Sequence, residues 1–272
     1  MIDRPDPATV ATMSQSATDE IVATNRAYWE SLAPHRKGEP LDFFRQGNSA
    51  LDDHELALIG DVDGLRVLHL ACSMGDESLT FAQHGADVTG VDLAPSHLET
   101  GRAKAAALGV QVTFVEQDMM RLDPSLTDFD LIYVSSGGVC WIPDLDAWAA
   151  QIVDRLVPTG RLVINEHHPL WEVLSVADHD QVTVSGDYFG NSRDGYGDPL
   201  KAPQVTQSIG SPDISPQSFV WSLGRIVTAL LGAGLTIQAL QEYPHPEMYP
   251  GLGSAAARLP ATYLLSAGRR DS

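Results

Sequence analysis

Positive charge is scarce in this chain: 17 lysines and arginines stand against 36 aspartates and glutamates, a formal charge of −19 over 272 residues. Nucleic acid needs a positive face, and the few cations are spread without a cluster, so no nucleic-acid partner is expected. Cysteine is scarcer still. Cys72 and Cys140 cannot make a disulfide framework and have no CxxC metal spacing, so a reducing compartment is the simplest expectation. No apolar run approaches a membrane span, and the first twenty residues hold none suited to a signal peptide. The expectation is a soluble cytoplasmic protein, monomer or homodimer, with no membrane partner.

What is present describes an ordinary folded protein, 43% hydrophobic and 19% charged. Strand-like runs at Arg66–Ala71, Asp87–Val91, Gln111–Glu116, Asp128–Ser135 and Arg161–Glu166 alternate with helical patterns at Asp76–His84, Pro95–Leu108 and Asp144–Leu156. Such alternation predicts an α/β fold with a mostly parallel sheet and right-handed crossovers. A helix is expected from Asp19 to Leu32, followed by the Pro/Gly-rich connector APHRKGEP, so residues 1–60 read as a tail and helical cap on a main domain at 61–272. Residues 167–217 are rich in Gly, Pro, Asp, Ser and Tyr and show no period, which reads as a lid or binding insertion. A helix over Phe219–Leu231 and strands at Leu235–Glu242 and Ala261–Ala267 close the chain.

The stretch RVLHLACSMGDESLTFAQHGADVTGVD, residues 66–92, carries the most information. It is one βαβ unit, with a ligand expected over the carboxyl ends of its strands and Asp92 placed to accept from ribose hydroxyls. Three readings compete for its turn. A P-loop needs Lys-Ser/Thr after its glycines, and ACSMGDES has none. A dinucleotide turn needs glycines where Ala71, Ser73 and Asp76 stand, and an acid at the third position would meet a pyrophosphate; that disfavours a nicotinamide-dependent oxidoreductase. The third reading is a G-x-G-x-G turn with Ala71, Ser73 and Gly75 in the slots, where small residues let backbone pass close beneath a ligand.

That turn, with VTGVDLAP, FVEQDMM, DFDLIYVSS and LVPTGRLVI, resembles class I S-adenosylmethionine-dependent methyltransferases over residues 66–166. The flanks NRAYWESLAPHR, CWIPDLDAW, NEHHP, WSLGRIVTALLGAGL and RLPATYLLSA are similar to a bacterial small-molecule group within them. The resemblance implies a Rossmann-like, seven-stranded, mostly parallel sheet with an antiparallel final strand, helices on both faces, an N-terminal helical cap and an insertion after strand five. It implies S-adenosylmethionine as cofactor, with Ala71, Cys72, Ser73 and Gly75 under the methionine, Asp92 and Leu93 at the ribose, Asp118 and Met119 at the adenine, and Ser135 after the fourth strand. Tyr28 and Trp29 would close over the cofactor; Phe44, Asn48 and Ser49 would reach its carboxylate or adenosine. One departure stands out: His69 occupies a position where many of these enzymes carry an acid.

Methyl transfer is an in-line displacement, so positioning dominates, with a base required for a hydroxyl or a protonated amine. Glu166, His167 and His168 follow the fifth strand, where a histidine titrates usefully and a carboxylate can orient it. Strand alternation lets one or two of the three reach a pocket, and the choice between His167 and His168 stays open. Adjacent histidines lack a usual metal-ligand spacing, so no metal is expected. Trp141 could stack on a planar substrate or anchor its loop. Tyr188, Phe189, Tyr196, Trp221, His245 and Glu247 are candidates for the substrate cavity, though loop packing explains them as well. The acceptor expected is a small molecule, a bacterial secondary metabolite being the natural guess, methylated on O or N. A non-methylating S-adenosylmethionine-binding protein on the same fold is the remaining alternative.

Overall fold

The apolar run at 66–70 becomes β1 (Arg66–Leu70), whose residues after Arg66 are all buried, as expected of a parallel strand covered on both faces. The computed structural model describes residues 15–177, 181–189, 193–194 and 214–269. With β1, strands β2 (Asp87–Asp92), β3 (Val112–Glu116), β4 (Phe129–Val134), β5 (Leu156–His167), β10 (Leu235–Tyr243) and β11 (Thr262–Arg269) form a seven-stranded sheet in the order β10-β11-β5-β4-β1-β2-β3. β1 pairs in parallel with both β2 and β4, while β11 runs antiparallel to β5 and β10. The strand order therefore reverses at β1, and the crevice outside the carboxyl ends of β1 and β4 is where a ligand belongs in such a sheet.

Alternation sorts the core into two layers. Leu68, Leu70, Ile132, Val134, Leu162 and Ile164 pack with α6 (Leu145–Arg155) and α8 (Leu223–Gly232). Val67, Leu131, Tyr133 and Val163 face the other way, against Ile59 of α3 (Asp53–Ile59) and Phe81 of α4 (Asp76–Gln83). Local chemistry sets the helix ends. Asp144 caps α6 by accepting from Asp146 and Ala147 N–H, and α5 (Pro95–Leu108) starts on a proline and stops at Gly109 in the left-handed region.

Three sequence expectations change in the structure. Residues 167–217 are not without regular structure. Their described part holds α7 (Pro169–Val173), a hairpin of β6 (Leu174–Ala177) and β7 (Gln181–Val184), and a two-residue pairing of β8 (Arg193–Asp194) with β9 (Gln217–Ser218). Pro158-Thr159-Gly160 does not sit outside the strand, because β5 begins at Leu156 and absorbs the extra residues as a register shift between the Phe129 and Leu131 pairings. The last long helix begins at Leu223 instead of Phe219, because Ser222 accepts from Arg225 N–H and caps it there, leaving Phe219–Trp221 extended and buried. At the other end, α1 (Gln15–Leu32) is fastened to β9: Asn25 donates to Gln217 O at 2.9 Å and accepts from Gln217 N–H at 2.8 Å. α2 (Leu41–Arg45) follows α1 and buries Phe44.

Candidate functional site

The chain leaves β1 through a turn in which every second residue is left-handed: Ala71, Ser73 and Gly75 have φ of 53°, 50° and 74°. Only glycine adopts that region without strain, yet just one of the three is glycine. Gly75 has a second reason for its identity, since a Cβ there would lie 2.5 Å from the Phe114 ring. Asp92 holds the turn in place. Its carboxylate accepts from Ser73 N–H and from Ala94 N–H, both at 2.8 Å, while Cys72 N–H donates to Val91 O at 3.0 Å. Burial raises the Asp92 carboxyl's pKa, and the backbone donors oppose it. Behind the turn, His69 Nδ1 lies 2.7 Å from Ser78 Oγ and Nε2 lies 3.0 Å from Ser135 Oγ. Burial lowers this imidazole to about 3, so it is neutral and serves as a tie between β1, α4 and the end of β4.

Above these strand ends opens a cavity of about 310 Å³. Its floor is the 71–77 turn with Asp92 and Ser135–Gly137; His167 forms one side, and Trp29, Arg36, Gly38, His97 and Trp141 complete the wall. A smaller space of about 50 Å³ shares Trp29, Ala71, Asp92 and Trp141 and continues to Leu93, Asp118 and Met119. Trp29 meets Trp141 edge-on at 5.4 Å, and the Arg36 guanidinium lies 5.0 Å over the Trp29 ring. Asp118 accepts from Met120 N–H at 2.8 Å, and burial raises its carboxyl.

This geometry has known counterparts. The family model described as a methyltransferase domain matches residues 67–160, which run from β1 into the start of β5. An uncharacterized protein of Mycobacterium tuberculosis is 28% identical over 216 residues, 79% of this chain and 68% of its own length. Demethylmenaquinone methyltransferase of Thermus thermophilus is 35% identical over 106 residues, 38% of this chain and 48% of the relative. A solved S-adenosylmethionine-dependent methyltransferase of Mesorhizobium loti has the same fold, with a TM-score of 0.61 at 23% identity, covering 78% of this chain and 94% of that one. Residues 67–160 are a methyltransferase domain, and the chain has the fold of the S-adenosylmethionine-dependent methyltransferases. A glycopeptide N-methyltransferase of this fold is solved with S-adenosylmethionine bound, and the methyltransferase domain disfavours the nicotinamide alternative. The residues present suit that cofactor: an elongated space, a floor of small residues at one end, and a carboxylate at the end of β2.

Of the residues singled out in the sequence, Ala71, Cys72, Ser73, Gly75, Asp92, Ser135, Trp141 and His167 line the larger cavity of the methyltransferase, and Leu93, Asp118 and Met119 line the smaller. Others lie off both walls. Glu166 is buried and fully engaged: Oε1 accepts from Gly137 N–H (2.6 Å) and His167 N–H (2.7 Å), and Oε2 from Val139 N–H (2.6 Å). His168 accepts from Leu170 N–H at 3.0 Å on Nδ1, so its Nε2 carries the proton and donates to Glu242 at 2.8 Å; one nitrogen caps the start of α7 and the other ties it to β10. Phe44 is a core residue beside Cys72 and Leu79, and Tyr28 is buried edge-on to Trp29, which takes the cavity position itself. Ser49 is bonded to the backbone of Leu51, and Asn48 is exposed. His245 pairs with Glu247 in an exposed loop; Tyr188 stacks edge-on with Phe189; Tyr196 lies outside the described residues.

Among the wall residues not foreseen are three with ionisable side chains from separate segments, Arg36, Glu77 and His97. Arg36 sits in the Pro/Gly connector, which reads as a plain link. Glu77 and His97 sit in the first turns of α4 and α5, where their spacing resembles ordinary helix surface. The usable signal was positional, because the first turn of a helix following a parallel strand faces the ligand crevice.

Proposed function

We propose that this methyltransferase methylates an oxygen or nitrogen of a small molecule, a bacterial secondary metabolite being the natural class, with His167 as the base. When bound, the cofactor supplies an electrophilic methyl group on a sulfonium. Asp92 would hold the ribose, Asp118 and Met119 the adenine, and the 71–75 turn the methionine portion. The observation that carries the acceptor chemistry is that His167 alone of the Glu166-His167-His168 trio reaches the cavity wall. Its Nδ1 stands 3.8 Å from both Glu166 and Glu172, two buried acidic side chains that flank the ring. Trp29 and Trp141 keep water from the reacting centre. The net charge of −19 disfavours a phosphate-rich polymer as acceptor.

The test is to incubate the enzyme with S-adenosylmethionine and a panel of small hydroxyl and amine compounds, and to follow methylated products by mass spectrometry. On the acceptor found, His167→Gln should lower turnover by about 100-fold or more while S-adenosylhomocysteine titrates as in the parent. Unchanged turnover would remove His167 as the base. Binding of the cofactor with no methylated product from any acceptor would favour the non-methylating alternative.

A further inference from the structure

His167 stands in two walls. It borders the large cavity, and it also borders a recess of about 20 Å³ enclosed by residues 139–140, the start of α7, the extended 219–221 segment and Tyr263 of β11. Among the described residues no other side chain is common to both. The walls of the recess are fixed. Phe219 N–H donates to Cys140 O at 2.7 Å and Trp221 Nε1–H to Ile142 O at 2.8 Å, which pins the 219–221 segment. Its two rings stack 5.8 Å apart with planes 12° from parallel. Tyr263 is wholly buried, and among the described residues its hydroxyl has no hydrogen-bond partner. Burial, with Glu166 and Cys140 nearby, holds this phenol well above its ordinary pKa of 10, so it stays a donor.

A buried hydroxyl without a partner costs free energy comparable to a lost hydrogen bond, so its place in a cavity wall marks where a polar group belongs. The volume sets the size of that group, since about 20 Å³ takes one group the size of a water. Charge is set by Glu166 and Glu172, whose carboxyls in the same wall oppose a carboxylate or phosphate. Phe219, Trp221 and Ile226 make the rest apolar, which suits the edge of an aromatic ring. Resting on the reading that an acceptor is methylated beside His167, we infer that the recess is a specificity pocket for an aromatic acceptor, taking an uncharged oxygen substituent to which Tyr263 donates a hydrogen bond. Tyr263 thereby selects the acceptor without touching the transferred methyl group.

The probes are phenol and its three dihydroxy relatives, catechol, resorcinol and hydroquinone, each titrated by ligand-observed NMR into the enzyme saturated with S-adenosylhomocysteine. One dihydroxy isomer should bind the parent about 10-fold tighter than phenol, because one spacing sets the first oxygen at His167 and the second at Tyr263. Tyr263→Phe should abolish that advantage, leave phenol as it was, and keep Tm at or above the parent's, since it deletes a hydroxyl with nothing to bond. The hydroxybenzoate that carries a carboxylate at the favoured position should bind more weakly than the favoured isomer. Should Tyr263→Phe fold poorly, the isomer preference of the parent still decides. Equal binding of phenol and all three isomers overturns the pocket, as does an advantage that survives Tyr263→Phe. A hydroxybenzoate that binds tighter than its dihydroxy counterpart overturns the choice of an uncharged group. A parent that binds S-adenosylhomocysteine and none of the four phenols refutes the pocket alone, whereas one that does not bind S-adenosylhomocysteine removes the cofactor reading and the pocket together.

Discussion

The turn after β1 and the end of β5 face the same cavity and are built on opposite principles. In the turn, conformation carries the geometry: three left-handed residues in alternation hold the backbone low, and the side chains at 71 and 73 matter by being small. At the end of β5, three consecutive side chains go three ways: Glu166 into the 137–139 loop, His167 onto the cavity wall, His168 onto the start of α7. A backbone-built site tolerates Ala and Ser in place of glycine and still keeps its shape. A side-chain-built site has one residue at the chemistry and neighbours that hold it there.

That contrast can be broken by substitution, beginning where the effect should be greatest. Glu166→Ala would orphan three N–H donors, two in the 137–139 loop and one at the end of β5, and cost about 3 to 5 kcal/mol of stability, read by urea denaturation; a loss near zero would mean these donors find other partners. Gly75→Ala combines a left-handed φ with a clash against Phe114 and should cost about 2 to 4 kcal/mol. Asp92→Ala should weaken S-adenosylhomocysteine by about 100-fold in calorimetry, because it frees the turn's Ser73 N–H and removes the proposed ribose acceptor together.

His69 makes a pH test of the same architecture. Its folded pKa of about 3 lies below the ordinary 6.5, so between those values the unfolded chain binds the extra proton. Stability therefore rises with pH across that window and is lost on acidification. His97, lowered to about 4, contributes in the same direction. His69→Asn should flatten the slope of unfolding free energy against pH by about 1.4 kcal/mol per unit at its steepest. An unchanged slope would mean that residue 69 is not buried neutral.

The sequence made the parallel half-sheet legible because each of its elements is spelled within a dozen residues: an apolar run, a small-residue turn, an amphipathic helix stopped by glycine. It also placed Asp92, Asp118 and Met119 at strand ends, since a strand end is itself a local feature. Arg36, Glu77 and His97 stayed hidden because cavity walls are assembled from segments far apart in the chain, and nothing in APHRKGEP announces that its arginine will lie over Trp29. The Glu166-His167-His168 trio lay between these cases. Alternation foretold that the three would part company, but which histidine reached the wall depended on where α7 begins, and His168 is claimed by that cap.

The smallest effect tests the turn most directly. Ala71 and Ser73 each hold a left-handed φ that costs an L-residue about 1 to 2 kcal/mol, and Ala71→Gly would release that strain. Glycine also gives the unfolded chain more freedom, which lowers stability by about 0.4 to 1 kcal/mol. The two terms oppose, so Ala71→Gly should shift unfolding by about 0 to 1.6 kcal/mol in the stabilising direction and leave S-adenosylhomocysteine affinity as it was. If the turn is built by its backbone, Ala71→Gly and Gly75→Ala must differ sharply although each exchanges the same two residue types. If both destabilise equally, the Ala71 methyl is a packing element in its own right, and the distinction between the two strand ends narrows to the glycine at 75.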